Sequence, residues 1–458
     1  MTNPDKNLFG LSVSDKKSLI ERMRSRSRQE QDKPRVSHKL GKAASRDIPE
    51  EYYTLQSLPG LKQLQIQTAA ADKFGIENPF FRVHDSVASS TTRIDNREYI
   101  NFSSYNYLGL CGHPRISQKA KDAIDRYGTS ASASRPVSGE RPIHRELEQK
   151  LASIHKTENA IVFVSGHATN VTTIGCLFGN NDLILHDTLA HNSIIQGAIL
   201  SGAKRLPFPH NDWAALDKIL QENRSKYQRV LIVIEGMYSM DGDIPELDKF
   251  VEIKHKHKTF LMIDEAHSLG VLGEHGFGIK EHFGISPDDI DISMGTLSKT
   301  LSACGGYVAG KHVLVENLKY TAPGFVYSVG MSPPVAAAAL AALEILQAEP
   351  ERSRKLRELG KLFYDTARES GLDTGLCQGF AIIPIITGSS VLSVKLSNRM
   401  LERGVNVQPI IYPAVEERGA RLRFFLNSTH TEQQIKDTIT ILIEELTQLK
   451  RNPIYKLI

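Results

Sequence analysis

One repeated pattern governs what this chain can fold into. From Asn159 onward, short apolar strands alternate with helical segments, and the chain turns polar where each strand ends. Ala160–Ser165 runs into Gly166-His167-Ala168, and Asp182–His186 runs into Asp187-Thr-Leu-Ala-His191. Arg229–Glu235 leads to Gly236-Met-Tyr-Ser239, and Phe260–Asp264 to Glu265-Ala-His267. A further stretch, Ile290–Met294, leads to Gly295-Thr296-Leu-Ser298-Lys299. Continuous apolar strands separated by helices indicate an α/β fold: a mostly parallel sheet with helices on both faces. Open sheets of this kind bind ligands outside the carboxyl ends of their strands. The ends at Ser165, Glu235, Asp264 and Met294 therefore converge on one site.

The residues at those ends define a chemistry. An amine such as that of Lys299 is nucleophilic only when neutral, and burial beside other cations lowers its pKa toward that state. The neighbouring Thr296 and Ser298 offer hydroxyls to a phosphate. Gly166 and His167, at a strand-to-helix turn, offer main-chain amides to the same group. A lysine able to form a Schiff base beside a phosphate cradle points to pyridoxal 5′-phosphate (PLP). That cofactor needs an acid to keep its ring nitrogen protonated, and Asp264 stands at a strand end where one is wanted. Asp264-Glu-Ala-His267 is also a helicase box, but the chain has no Gly-x4-Gly-Lys-Ser/Thr loop, which excludes that reading.

Asp264-Glu-Ala-His267, followed downstream by Gly295-Thr-Leu-Ser-Lys299, resembles the α-oxoamine synthases, which are fold-type I PLP enzymes. The resemblance runs from about residue 50 to about residue 450. It implies a decarboxylative Claisen condensation of glycine, alanine or serine with an acyl thioester, carried by coenzyme A or a carrier protein, to give an α-aminoketone. By the same resemblance Lys299, His191, Asp264 and His267 form the catalytic group, with His191 stacked on the cofactor ring. Ser239 and Glu235 are placed near the cofactor's phenolic oxygen. Asn106, in Tyr105-Asn-Tyr-Leu-Gly109, and Ser138, in Ser138-Gly139, are implied substrate contacts. Arg423 is the first choice to pair with the amino-acid carboxylate and Arg421 the second, since strand alternation sends both to one face. Ser328 is implied to reach the phosphate of a neighbouring subunit, which makes a homodimer with a shared active site; Val329 stands where the family commonly has threonine. Ser132-Ala-Ser-Arg-Pro-Val-Ser-Gly-Glu140 resembles members tied to polyketide or carrier-protein pathways. Two alternatives stay open: a PLP aminotransferase or lyase on the same fold, and a non-catalytic paralogous subunit.

With 458 residues, 40% hydrophobic, the chain can bury a large core in two or three domains. Its net charge of +4 is too small to argue for nucleic acid. The four cysteines lack metal spacing, which suits reduced thiols rather than a disulfide framework or zinc site. Neither a membrane span nor a secretory segment is expected, so a cytoplasmic protein is the default. Residues 1–48, with twelve Lys/Arg against six Asp/Glu, form a basic extension, with a short helix from Ser14. It reads as a solvated tail or as a docking arm for an acidic acyl carrier protein. The expected division is then 49–110 as an N-terminal segment, 111–335 as the large cofactor-binding domain, and 336–458 as a small C-terminal α+β domain. Strands are expected near Phe80–Val83, Glu98–Phe102, Phe380–Ile386, Val405–Ile411 and Arg421–Leu426, with a helical bridge from Pro334 to Glu369.

Overall fold

The computed structural model describes residues 48–73 and 76–451, so residues 1–47 of the basic extension, with the helix expected from Ser14, lie outside the described residues. The chain divides after Ala70. The first unit contains two 3-10 turns, Glu50–Tyr52 and Leu55–Ser57, and most of the helix Pro59–Lys73.

In the second unit the chain opens with a hairpin, β1 (Thr91–Ile94) and β2 (Arg97–Asn101). Both turn residues, Asp95 and Asn96, have positive φ (49° and 61°), the geometry that matches the twist of paired strands. The strand expected near Phe80–Val83 does not form. Phe81 has φ 61° and is 96% exposed, leaving only an isolated bridge between His84 and Ile94.

The centre is a seven-stranded sheet built from β3 (Asn159–Phe163), β4 (Leu183–Asp187), β5 (Lys204–Phe208), β6 (Val230–Glu235), β7 (Phe260–Asp264), β8 (Ile292–Thr296) and β9 (Gly306–Gly310). Its order is β3-β9-β8-β7-β6-β4-β5. Neighbours from β5 through β8 pair in parallel, whereas β9 runs antiparallel to both β8 and β3. Alternation along each strand feeds two cores. On β6, Val230, Ile232 and Ile234 join one cluster while Leu231 and Val233 join the other. Each such fully buried aliphatic side chain contributes about 1.5–3 kcal/mol, so this sheet is the rigid floor of the molecule.

Register then aligns the strand ends. Glu235 pairs with Asp264, and Asp264 pairs with Met294. Gly306 of β9 pairs with both Thr296 and Phe163, which brings the turn after β3 alongside the end of β8.

The expected helical bridge is two helices, Pro333–Ala348 and Glu351–Glu369, interrupted next to Pro350. Beyond them lie β10 (Ile382–Ile386), β11 (Val405–Asn406), β12 (Gln408–Ile410) and β13 (Arg421–Phe425). The single strand expected over Val405–Ile411 is split between two sheets. β11 pairs in parallel with β2, whereas β12 pairs with β13. Pro409 has no N–H to extend one ladder, which suits a short edge strand. The β1-β2-β11 sheet thus joins the early hairpin of the second unit to its C-terminal part.

Candidate active site

A cavity of about 390 Å³ opens over the carboxyl ends of β6, β7 and β8. Lys299, His191, Asp264, His267, Gly166, His167, Glu235, Ser239, Thr296, Ser298 and Arg423 all line it.

Its floor is acidic. Asp264, at the end of β7, is buried; its Oδ2 accepts from Asn170 Nδ2 (2.8 Å) and its Oδ1 from the Ala266 amide (2.9 Å). Asn170 is itself held by Ser193 Oγ (2.9 Å). Glu235, on the adjacent strand, accepts from the His191 amide at 2.6 Å. Burial, then the nearby Asp264 charge, pushes the Glu235 carboxyl well above the usual range. His191 caps the helix Asn192–Ser201, and its Nδ1 shares a hydrogen bond with Ser193 Oγ (2.7 Å). Burial holds its pKa down.

One end of the cavity is built for an anion. Ser165 caps the twelve-residue helix Gly166–Leu177, and Ser165, Gly166 and His167 line the cavity, which puts the start of a helix there for an anion. Thr296 Oγ1 lies 2.8 Å from Ser298 Oγ and donates to the Gly305 carbonyl (3.0 Å). A Cβ on Gly166 would stand 2.7 Å from Thr296 Oγ1, so only glycine allows this backbone to approach those hydroxyls.

At the other end are the amine and the guanidinium. Lys299 Nζ lies 2.8 Å from His267 Nε2, and the far nitrogen of that ring, Nδ1, lies 2.7 Å from the Tyr107 hydroxyl. Burial lowers the Lys299 pKa to about 8 against the opposing pull of Asp264 and Glu235. The same cause, with Lys299 adding to it, holds His267 well below its ordinary value, so its ring is neutral. Arg423, on β13, donates through Nη1 to the Ser239 carbonyl (2.9 Å) and contacts Met240 Sδ (3.2 Å). Its guanidinium lies 4.6 Å from the centre of the Phe425 ring, and its buried Nε has no partner. A cation that lines the cavity is a receptor for a carboxylate.

These residues fit PLP: an anion cradle, a carboxylate for a ring nitrogen, an imidazole wall and a partly neutral amine. Four expected residues lie elsewhere. Arg421 donates through Nη1 to Asp241 Oδ1 (2.6 Å) and the Met240 carbonyl (2.9 Å) instead of entering the cavity. Asn106 is committed to its turn: Nδ2 donates to the Ala88 carbonyl (3.1 Å) and Oδ1 accepts from the Cys111 amide (3.1 Å). It lines a second cavity of about 470 Å³, which shares Tyr105, Ser298 and Lys299 with the first. Ser138 is exposed, and Ser328 does not reach the cavity within a single chain. Tyr105, Tyr107 and Asn170 belong to the site and were not anticipated. Asn170 follows Gly166 by four residues, and helical periodicity would have placed both on one face.

The architecture defines a fold-type I PLP enzyme, and comparison with known proteins specifies it. The family model "Aminotransferase class I and II" matches residues 97–442. The 8-amino-7-oxononanoate synthase of Symbiobacterium thermophilum is 42% identical over 346 residues, covering 76% of this chain and 88% of that protein. Sphingomonas wittichii serine palmitoyltransferase superimposes with a TM-score of 0.81 at 30% identity, covering 86% of this chain and 98% of the other. Serine palmitoyltransferase from S. paucimobilis with bound PLP–myriocin superimposes with a TM-score of 0.82 at 27% identity over the same shares. The chain belongs to the aminotransferase class I and II family, as one of its α-oxoamine synthases, PLP-dependent acyltransferases.

Proposed function

We propose that this enzyme condenses a small α-amino acid with an acyl thioester, releasing carbon dioxide and a thiol and leaving an α-aminoketone. One observation carries the reading: two cavities meet at Lys299. The first holds Arg423 for a carboxylate. The second is lined by small hydroxyl and amide side chains, has no acidic residue, and has no cation but Lys299. An aminotransferase works on its substrates one at a time in a single room, whereas a condensation must bring two together at one carbon. Tyr105, common to both cavities, stands between the two substrates.

When bound, PLP supplies an electron sink for the negative charge developed at the amino acid's α-carbon. Arg423, which lines the first cavity, grips the substrate carboxylate. Lys299, with a pKa near 8, takes the α-proton on Nζ as general base. His267 orients that amine, and Glu235 orients His191 through the His191 amide. Asp264 keeps a positive charge on the ring nitrogen, held to the task by Asn170 and the Ala266 amide.

The names of the relatives narrow the amino acid. An 8-amino-7-oxononanoate ends in CH3–CH(NH2)–CO, in which CH3–CH(NH2) is what alanine leaves after decarboxylation and the carbonyl comes from the acyl thioester, and the other name states serine. Alanine and serine are therefore offered first, with glycine third. The reading extends to a homodimer in which Ser328 and Ser138 serve the partner's site. It is supported by exposed Tyr327 (86%), Tyr320 (80%) and Val137 (79%) around them. It extends also to a cytoplasmic protein whose basic residues 1–48 dock a carrier protein. No helix among the described residues is long and apolar enough to cross a membrane.

The test is α-proton exchange in deuterated water with PLP-loaded enzyme and each amino acid, followed by carbon dioxide and thiol release with acyl-coenzyme A and acyl-carrier donors. Formation of a keto acid without carbon dioxide would replace condensation by transamination. Carrier-dependent activity unchanged by deletion of residues 1–48 would remove the docking role.

A further inference from the structure

His210, just beyond β5, is held between two buried carboxylates. Its Nδ1 lies 2.9 Å from Asp187 Oδ1 and its Nε2 lies 2.8 Å from Asp243 Oδ2. Ionised carboxylates only accept hydrogen bonds, so a ring that satisfies both must carry hydrogen on both nitrogens. Burial opposes that charge, but the two acids outweigh it and raise the His210 pKa to about 10. The edge of the ring meets Tyr238 at 4.5 Å. Asn211 completes the cluster: its amide donates to Asp187 Oδ2 (2.8 Å) and its Nδ2 to Asp243 Oδ2 (2.7 Å). None of these residues lines the catalytic cavity.

The two acids belong to two different loops of the site. Asp187 Oδ1 accepts from the Leu189 amide (2.7 Å), closing the turn that delivers His191. The Asp243 carbonyl accepts from the Tyr238 amide (2.9 Å), closing the loop whose Ser239 carbonyl and Met240 sulfur hold Arg423. Among the described residues the His210 ring bonds to both Asp187 and Asp243, and Asn211 spans the same two acids through its main-chain amide and its Nδ2. Misplacing a reacting group by about 1 Å costs on the order of 100-fold in rate, so a clip between these loops bears on the reaction.

We propose that His210 is a positioning residue that clips the His191 turn to the Arg423-holding loop, setting the span between the cofactor face and the grip on the substrate carboxylate. The substrate's identity rests on the function proposed above; the clip itself does not.

The test compares His210→Gln with Asp243→Asn. Glutamine reaches only one of the two acids, so the ring's bridge is lost and Asn211 alone still spans them. In Asp243→Asn the amide oxygen can stand where Oδ2 stands and accept from both the His210 Nε2–H and Asn211 Nδ2, so the ring still bridges. In cofactor-free protein, hydrogen exchange at 188–191 and at 236–244 should both rise at least tenfold in His210→Gln and stay near wild type in Asp243→Asn. In α-proton exchange by the loaded enzyme, His210→Gln should raise the amino-acid KM at least tenfold with a smaller change in kcat, and Asp243→Asn should change it less than threefold. Nitrogen NMR should show the wild-type His210 ring doubly protonated to about pH 10. Faster exchange in only one loop, an unaltered KM in His210→Gln, or equal damage in both variants overturns the clip. If His210→Gln does not fold, His210→Asn is read by the same exchange: faster exchange in both loops supports the clip, and unchanged exchange in either overturns it. Absence of α-proton exchange by wild type with every amino acid would defeat the proposed function and leave the hydrogen-exchange result standing.

Discussion

His267 stands between the Lys299 amine, 2.8 Å from its Nε2, and the Tyr107 hydroxyl, 2.7 Å from its Nδ1. Tyr107 is fully buried, so its hydroxyl has no water to exchange for the imidazole. The phenol can donate to Nδ1 or accept from it, so it satisfies that nitrogen and holds the ring against Lys299. Tyr107→Phe keeps the shape but strands Nδ1, at a cost of about 1–3 kcal/mol. The expected outcome is a folded enzyme with α-proton exchange slowed about tenfold and little change in amino-acid KM. Exchange kinetics and a thermal melt check both halves.

Lys299 should titrate near 8 instead of near 10.5. In cofactor-free protein, labelling of that amine by trinitrobenzenesulfonate should reach half its maximum close to pH 8. Asp264 is the largest influence holding the pKa up. Asp264→Asn should therefore shift the midpoint lower, not higher. Because the folded pKa is depressed, the unfolded chain binds more protons between about 8 and 10.5, and the Lys299 contribution to stability rises with pH across that window. Lys299→Ala should abolish both the labelling and all turnover.

The two strand arginines should fail differently. Arg423→Lys removes a planar donor edge and should weaken amino-acid binding tenfold to 100-fold, equivalent to about 1.4–2.8 kcal/mol. Arg421→Met leaves Asp241 buried without its partner and should cost about 3–5 kcal/mol of stability. Substrate titration and urea denaturation separate the two effects.

Gly166→Ala places a Cβ 2.7 Å from Thr296 Oγ1. PLP affinity should fall more than tenfold while the cofactor-free melt moves little, as read by equilibrium dialysis and calorimetry. Unchanged affinity would remove this turn from the phosphate cradle.

The strand ends were legible because β6 and β7 are buried on both faces and read as unbroken apolar runs that stop at Glu235 and Asp264. What stayed hidden depends on contacts between distant parts of the chain. Arg421 and Arg423 share one parity, so pattern alone cannot separate them; the partner Asp241, in another loop, does. Tyr107 reads as a turn residue until the fold brings it to His267. Val405–Ile411 reads as one strand because apolar alternation does not record which sheet receives each half.

The reversed strand β9 sets a schedule for synthesis. It is the last of the seven to be made, yet it lies between β8 and β3, the first. Until Gly306–Gly310 has left the ribosome, β3 lacks its only neighbour in the sheet, and Gly166 has nothing to bring it against Thr296. A nascent chain ending before that strand already carries Lys299 but lacks the Gly166–Thr296 juxtaposition of the phosphate cradle and is expected not to retain the cofactor. Loading therefore waits for the large sheet to close.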